Sequence, residues 1–176
     1  MRDAGVDMKA EDIPLDDQAV YDMISEGETD GVFQLESGGM RNFLSNMKPQ
    51  NFEDIIAAIS LYRPGPMDSI PRYIEGKNNP ESIHYLHSKL KPILDVTYGC
   101  MVYQEQVMQI VRDLAGYSYG RSDLVRRAMA KKKHDVMAKE REIFINGLEE
   151  DGKVVVPGCV RNGVSAEIAS QLFDEM

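Results

Sequence analysis

At 176 residues the chain is long enough for one domain of ordinary size or for a piece of a larger one. An apolar fraction of 43% is enough for a core, whereas a net charge of −9 and a pI near 4.8 argue against a generally basic, free-standing DNA binder. No apolar run approaches the roughly 20 residues of a membrane span, no signal peptide opens the chain, and Cys100 and Cys159 lie far apart without ligand spacing, which points to free thiols in a reducing cytoplasm.

The charge is uneven: residues 1–36 hold eleven acids and two bases, and residues 37–176 hold eighteen of each. Residues 1–13 are polar and acidic without periodicity and read as a linker or a cut end, leaving 14–176 as the folded piece. Asp16 is placed to cap a first helix whose buried stripe would be Ala19, Val20, Met23 and Ile24, with Gly27 ending it. Glu28-Thr29-Asp30-Gly31 is a turn signal, and the apolar Val32–Leu35 stretch is read as extended. Ser37 caps a second helix with Met40, Phe43, Leu44 and Met47 at helical spacing, stopped by Pro49. Asn51 caps a third, whose acids Glu53 and Asp54 suit the first turn and whose Ile55, Ile56, Ala58 and Ile59 predict a well-buried face. Arg63-Pro64-Gly65-Pro66 breaks it with a rigid turn.

A short helix follows around Ser69–Lys77, and then a polar stretch in which His84 and His87 lie three apart, with no Cys or third His nearby to complete a zinc site. Thr97–Val102 reads as a brief strand. From Gln104, the positions Val107, Ile110, Val111, Leu114 and Ala115 predict a clean helix ended by Gly116. Residues 134–150 predict another helix with Met137, Phe144 and Leu148 inward, Lys153–Gly163 a loop or hairpin, and Ser165 the cap of a last helix carrying Ile168 and Leu172. The chain stops inside that pattern, at Phe173-Asp174-Glu175-Met176, which reads as a truncation. The predicted fold class is mainly α, with little β structure.

The most informative stretch is the helix between Arg121 and Lys133. It holds six basic residues (Arg121, Arg126, Arg127, Lys131, Lys132, Lys133) and one acid, Asp123, a local balance of +5 in an acidic chain. At about 100° per residue, Leu124, Val125, Ala128 and Met129 fall on one side of the wheel, and Arg126, Arg127, Lys131 and Lys133 on the other. One face is built to pack and the other to meet anions. Phosphates are the strongest candidates, since Arg grips them as a planar fork and Lys as a point charge. A solvated charged face is the alternative reading of the same run.

Complete catalytic machinery is not evident. Phosphoryl or nucleotidyl transfer needs carboxylates converging on metal, but Asp16-Asp17 and Glu149-Glu150-Asp151 are adjacent runs whose side chains diverge. Gly38-Gly39 lacks the Lys-Ser/Thr of a phosphate-binding Walker loop, and no Ser or Cys has an evident activating partner. By its chemistry the chain reads as a binding element.

The segments Gly31-Val32-Phe33-Gln34-Leu35-Glu36-Ser37, Leu61-Tyr62-Arg63-Pro64-Gly65-Pro66, Thr97-Tyr98-Gly99, Tyr103–Ile110, Ala115-Gly116-Tyr117-Ser118 and Arg126–Met129 with Lys131-Lys132-Lys133 occur in one order across residues 14–151. In that order and spacing they resemble the α subunits of bacterial DNA polymerase III, of the DnaE type in polymerase family C. The resemblance implies a multi-helical fingers subdomain, severed from the palm whose acidic residues hold the catalytic Mg²⁺. The fragment alone is therefore expected to be inactive, with no cofactor of its own. It also implies that Arg126, Arg127 and Lys131 meet the triphosphate of the incoming dNTP, while Lys132, Lys133 and Arg121 add field or touch DNA backbone. Tyr103, Gln104 and Arg63 would lie near the nascent base pair or support it. The implied partners are template-primer DNA, the palm and other domains of the parent, and the sliding clamp and other replicase subunits. Gln171-Leu172-Phe173 lacks the full pattern of a clamp-binding peptide and reads as ordinary amphipathic helix. One departure stands out: the family usually has glycine where this chain has Ala130, and alanine favours continuing the helix under the lysines. Outside the resemblance, a stand-alone helical nucleic-acid-binding module and a protein-interaction module using the acidic first 36 residues are the competing readings.

Overall fold

A computed structural model describes residues 9–176, so most of the stretch 1–13 expected to be a linker lies outside the described residues; its end carries a short 3-10 turn, Ala10–Asp12. The described chain is mainly α-helical, with one two-stranded hairpin. It divides into two compact units that meet in sequence between Met67 and Asp68.

The first unit contains α1 (Gln18–Ser25), α2 (Gly38–Met47) and α3 (Phe52–Leu61). Ser37 and Asn51 cap α2 and α3 as expected, their side chains accepting the Met40 N–H at 3.3 Å and the Asp54 N–H at 2.9 Å. The cap of α1 is Asp17 rather than Asp16, accepting the Ala19 N–H at 3.1 Å. The stripe of α1 is rotated accordingly: Tyr21 and Ile24 are buried, whereas Ala19 and Val20 are exposed. The Tyr21 hydroxyl, donated to the Leu15 carbonyl, gives the buried ring a polar anchor. In α3 the small residues face inward. Ala57, Ala58 and Leu61 are buried, Ile55 and Ile59 are half-buried, and Ile56 is exposed, so the apolar face is wider than the part that is covered. Val32–Leu35 is not extended. It is a run of turns in which Gln34 is left-handed, and the buried Thr29 hydroxyl donates to the Leu35 carbonyl at 2.6 Å. The backbone is thus satisfied locally and has no need of a neighbouring strand.

The second unit holds α4 (Ile70–Asn78), α5 (Lys91–Leu94), α6 (Gln104–Ala115), α7 (Tyr119–Ala130), α8 (His134–Asn146), the strands β1 (Leu148–Glu150) and β2 (Lys153–Val156), and α9 (Ala166–Asp174). Its core gathers Ile110, Val111 and Leu114 of α6, Val125 of α7, Phe144 of α8 and Leu172 and Phe173 of α9. Phe144 packs between the Tyr117 and Phe173 rings, with centroids at 6.5 and 5.5 Å. The strand expected at Thr97–Val102 is absent because Tyr98 and Gly99 both take left-handed conformations (φ 52° and 82°), which turn the chain. His87 serves as a cap, its Nδ1 accepting the Lys89 N–H at 3.2 Å. Helix α8 ends at Asn146, short of the expected 150, because Gly147 has φ 90°. Residues 148–150 form β1 instead, paired antiparallel with β2 (Glu149 opposite Val154, Glu150 opposite Lys153). Asp151 and Gly152, both at positive φ, make the tight turn that matches strand twist.

The loop after β2 closes two helix ends. Gly158 N–H donates to the Ala115 carbonyl of α6 at 2.9 Å, and Cys159 and Val160 N–H donate to the Phe144 and Ile145 carbonyls of α8 at 2.8 and 3.1 Å. Carbonyls at a helix C-terminus lack intrahelical partners, and this segment supplies them. The approach is so close that a Cβ on Gly158 would overlap the Gly147 backbone, and Gly158 itself has φ 79°. Gly158→Ala is therefore expected to cost more than about 1 kcal/mol, read as a lowered midpoint in a thermal melt. An unchanged midpoint would mean that the loop does not hold these ends in solution.

Candidate functional site

Helices α6 and α7 form a helical hairpin. Gly116 leaves α6 at φ 78°, and Ser118 starts α7, its hydroxyl accepting the Arg121 N–H at 3.2 Å. The start of α6 therefore lies beside the end of α7, which brings two of the sequence motifs together: Arg126 Nη1 is 3.4 Å from Gln104 Oε1. The start of α6 is fixed from within by Gln106, which is buried. Its Oε1 accepts the Val102 and Tyr103 N–H groups at 2.9 Å each, and its Nε2 donates to Thr97 Oγ1 at 2.8 Å and to the Ile93 carbonyl at 3.1 Å. Its amide thus ties the segment leading into α6, which carries the half-buried Tyr103 and the exposed Gln104, to Thr97 and Ile93. The signal in the sequence was the position of Gln106, three residues after Tyr103, where a Gln side chain can reach back to the residue that precedes the helix.

On α7, Asp123 stands one turn before the two arginines and pairs with both. Arg126 donates Nε and Nη2 to Asp123 Oδ1 at 2.9 and 2.7 Å. Arg127 Nε lies 2.9 Å from Asp123 Oδ2 and makes a long bond, 3.5 Å, to the Asp123 main-chain carbonyl. The Arg126 hydrogen bond and the charge of both guanidinium groups hold the Asp123 carboxyl below the usual carboxylate range, against a smaller opposing effect of burial.

The lysines lie beyond the helix. Alanine at 130 does not prolong α7, which ends there: Lys132 takes the left-handed conformation (φ 50°) and donates to the Met129 carbonyl at 3.0 Å, while Lys133 N–H donates to the Ala128 carbonyl at 2.9 Å. This is the paired hydrogen-bond closure in which glycine is the usual left-handed residue. The turn outweighs the helix propensity of alanine, a few tenths of a kcal/mol at most against its neighbours. Lys131, Lys132 and Lys133 are exposed at the negative end of the helix dipole, where cations are stabilised. Arg127, Lys131 and Lys133, with Leu124, Ala128 and Val136, line an open cleft of about 310 Å³.

Arg121 has a different setting. Its Nε and Nη2 form a two-pronged pair with Glu140 of α8 at 3.0 and 2.8 Å, and Glu140 is buried. Burial alone would lower the Arg121 pKa, but the hydrogen bonds and charge of Glu140 outweigh it and the guanidinium is held above its ordinary value. Tyr117 completes the group, donating its hydroxyl to the Glu140 carbonyl at 3.1 Å. Arg121, expected to add field or touch DNA backbone, has its fork occupied by Glu140 inside the fold. Glu140 escaped the sequence reading, although its spacing signals it, since it falls on the inward stripe between Met137 and Phe144. A carboxylate in such a place needs a partner. Arg63, in the first unit, is exposed at the turn after α3. Leu172 and Phe173 are buried in α9 and so do not present a peptide to a partner.

A helical scaffold thus presents a basic cleft suited to holding a polyanion. Residues 1–152 match the family described as bacterial DNA polymerase III alpha subunit finger domain. The chain is 47% identical over 173 residues to the DNA polymerase III subunit alpha of Staphylococcus aureus and 46% identical over 173 residues to that of Staphylococcus epidermidis. Each comparison covers 98% of this chain and 15% of the relative, so the chain spans about 15% of the length of these curated relatives. The chain belongs to the finger-domain family of bacterial DNA polymerase III α subunits.

Proposed function

We propose that this chain is the fingers portion of a bacterial replicative DNA polymerase, and that its basic face holds the phosphates of the incoming dNTP beside the template-primer. The observation that carries this reading is the cleft at the end of α7, where Arg127, Lys131 and Lys133 converge on one open space. Arg126 stands beside it, Lys132 adds field or meets DNA backbone, and Gln104 and Tyr103 support the face from the start of α6. Arg63 supports the turn after α3. The palm and other domains of the parent, the sliding clamp and other replicase subunits are the further partners, in the cytoplasm.

The residues present do not fit a Mg²⁺ site. Asp123, the acid within the basic stretch, is engaged by two arginines, and no group of three or more His, Cys, Asp or Glu suited to a metal exists among the described residues. On this reading the metal is held by carboxylates of the palm, and the present side chains bind and orient.

Titrating the purified chain with duplex DNA at several salt concentrations tests the reading. Each phosphate contact contributes about 0.9 to the salt slope, so a few contacts give weak binding with a slope of about −2 to −4. The same preparation, given primer-template, dNTPs and Mg²⁺, is expected not to extend the primer. Tight binding indifferent to salt would count against the basic cleft as the contact, and extension would overturn the division of labour with the palm.

A further inference from the structure

Arg126 and Arg127 are neighbours with the same charge, but the structure holds them differently. Arg126 is gripped along its fork edge, with Nε and Nη2 on one carboxylate oxygen of Asp123 at 2.9 and 2.7 Å, and its remaining nitrogen faces Gln104 Oε1 at 3.4 Å. All three of its nitrogens are directed at protein groups, and its side chain is 32% exposed. Arg127 is held through Nε alone, at 2.9 Å from the other carboxylate oxygen and 3.5 Å from a main-chain carbonyl. Its side chain is 60% exposed, and it lines the cleft with Lys131 and Lys133, whereas Arg126 does not line it.

We infer that the two arginines divide the work: Arg127 is the phosphate ligand, and Arg126 is a positioning residue that ties the end of α7 to the start of α6. This rests on the reading of the cleft as a phosphate site. A guanidinium binds phosphate best with two parallel N–H groups. Arg127, anchored from behind by its Nε, keeps both terminal nitrogens for such a fork. Arg126 would have to break its bonds to Asp123 or leave Gln104 to offer the same. Asp123 thereby acts on both: it locks Arg126 in the bridge and steadies Arg127 from the side away from its terminal nitrogens.

Duplex DNA serves as the phosphate probe standing in for the dNTP, and its salt slope separates the two roles, because it counts phosphate contacts and a purely structural contribution does not move it. A labelled duplex is titrated with the wild-type chain, Arg127→Ala, Arg126→Ala and Arg126→Gln, with a thermal melt of each. Arg127→Ala is expected to reduce the magnitude of the slope by about 0.9. Arg126→Gln, which carries no charge but can still bridge Asp123 and Gln104, is expected to keep the wild-type slope and most of the affinity. Arg126→Ala should weaken binding without changing the slope. An equal loss of slope in Arg126→Gln and Arg127→Ala overturns the division while leaving the phosphate reading intact. A wild-type chain that binds neither the duplex nor dATP sinks the phosphate reading and the division with it.

Discussion

Replacing Arg126 and Arg127 together by alanine in the full-length parent enzyme is expected to lower kcat/KM for nucleotide addition by about a hundredfold or more. Charge-assisted hydrogen bonds contribute about 1.5–3 kcal/mol each, and each 1.36 kcal/mol lost from the transition state is about tenfold in rate. The geometry sets the split between parameters. If the phosphates are held equally before and during transfer, KM rises; if the grip tightens in the transition state, kcat falls. Arg127→Lys should restore only part of the loss, because a point charge does not replace a fork. The rival account is that both arginines merely neutralise Asp123, and the structure does show both paired with it. Steady-state incorporation on a fixed template-primer decides, with melting as the folding control. Normal kinetics in a folded double variant would refute the assignment.

Arg121→Ala is expected to act on stability instead. It leaves the buried Glu140 carboxylate without its two-pronged partner, a loss on the order of 3 kcal/mol. In a chain of this size that corresponds to a fall in melting temperature of roughly 6–12 °C. The salt slope for DNA should stay unchanged wherever the variant is folded. A normal melt combined with a reduced slope would return Arg121 to the DNA-contacting role first expected from its charge.

These two outcomes mark where the sequence was legible. Capping residues could be read directly, because a Ser or Asn ahead of an apolar-periodic run has one favourable use: Ser37, Asn51 and Ser165 all cap as side-chain acceptors. The run Val107–Ala115 is buried as its period requires. Periodicity shows that a face is apolar but not whether another element covers it, which is why Ile56 stands exposed. Left-handed residues that are not glycine leave little trace in composition. Gln34, Tyr98 and Lys132 each turn the chain where the sequence suggested that it continues. The sequence shows the charge as a cluster and leaves the pairing of each base open. The six bases between Arg121 and Lys133 look alike in sequence, yet one is paired inside the fold, two share a carboxylate, and three sit on the closing turn of α7. Which base does which depends on acids elsewhere in the chain, above all Glu140, and on the helix packing that brings them together.

The segment Gly158–Val160 gives these helices a shared fate. Helix ends ordinarily fray independently, each opening at little cost. Here the last carbonyls of α6 and α8 lean on adjacent amides of one short stretch. If that stretch lifts, both ends lose their partners at once; while it stays seated, neither can unwind. The two helices that flank α7 therefore share one closing segment, although they are far apart in sequence. That loop closes the ends of α6 and α8 remote from the basic cleft, so a lesion in it would loosen the helical platform from the end opposite Arg127.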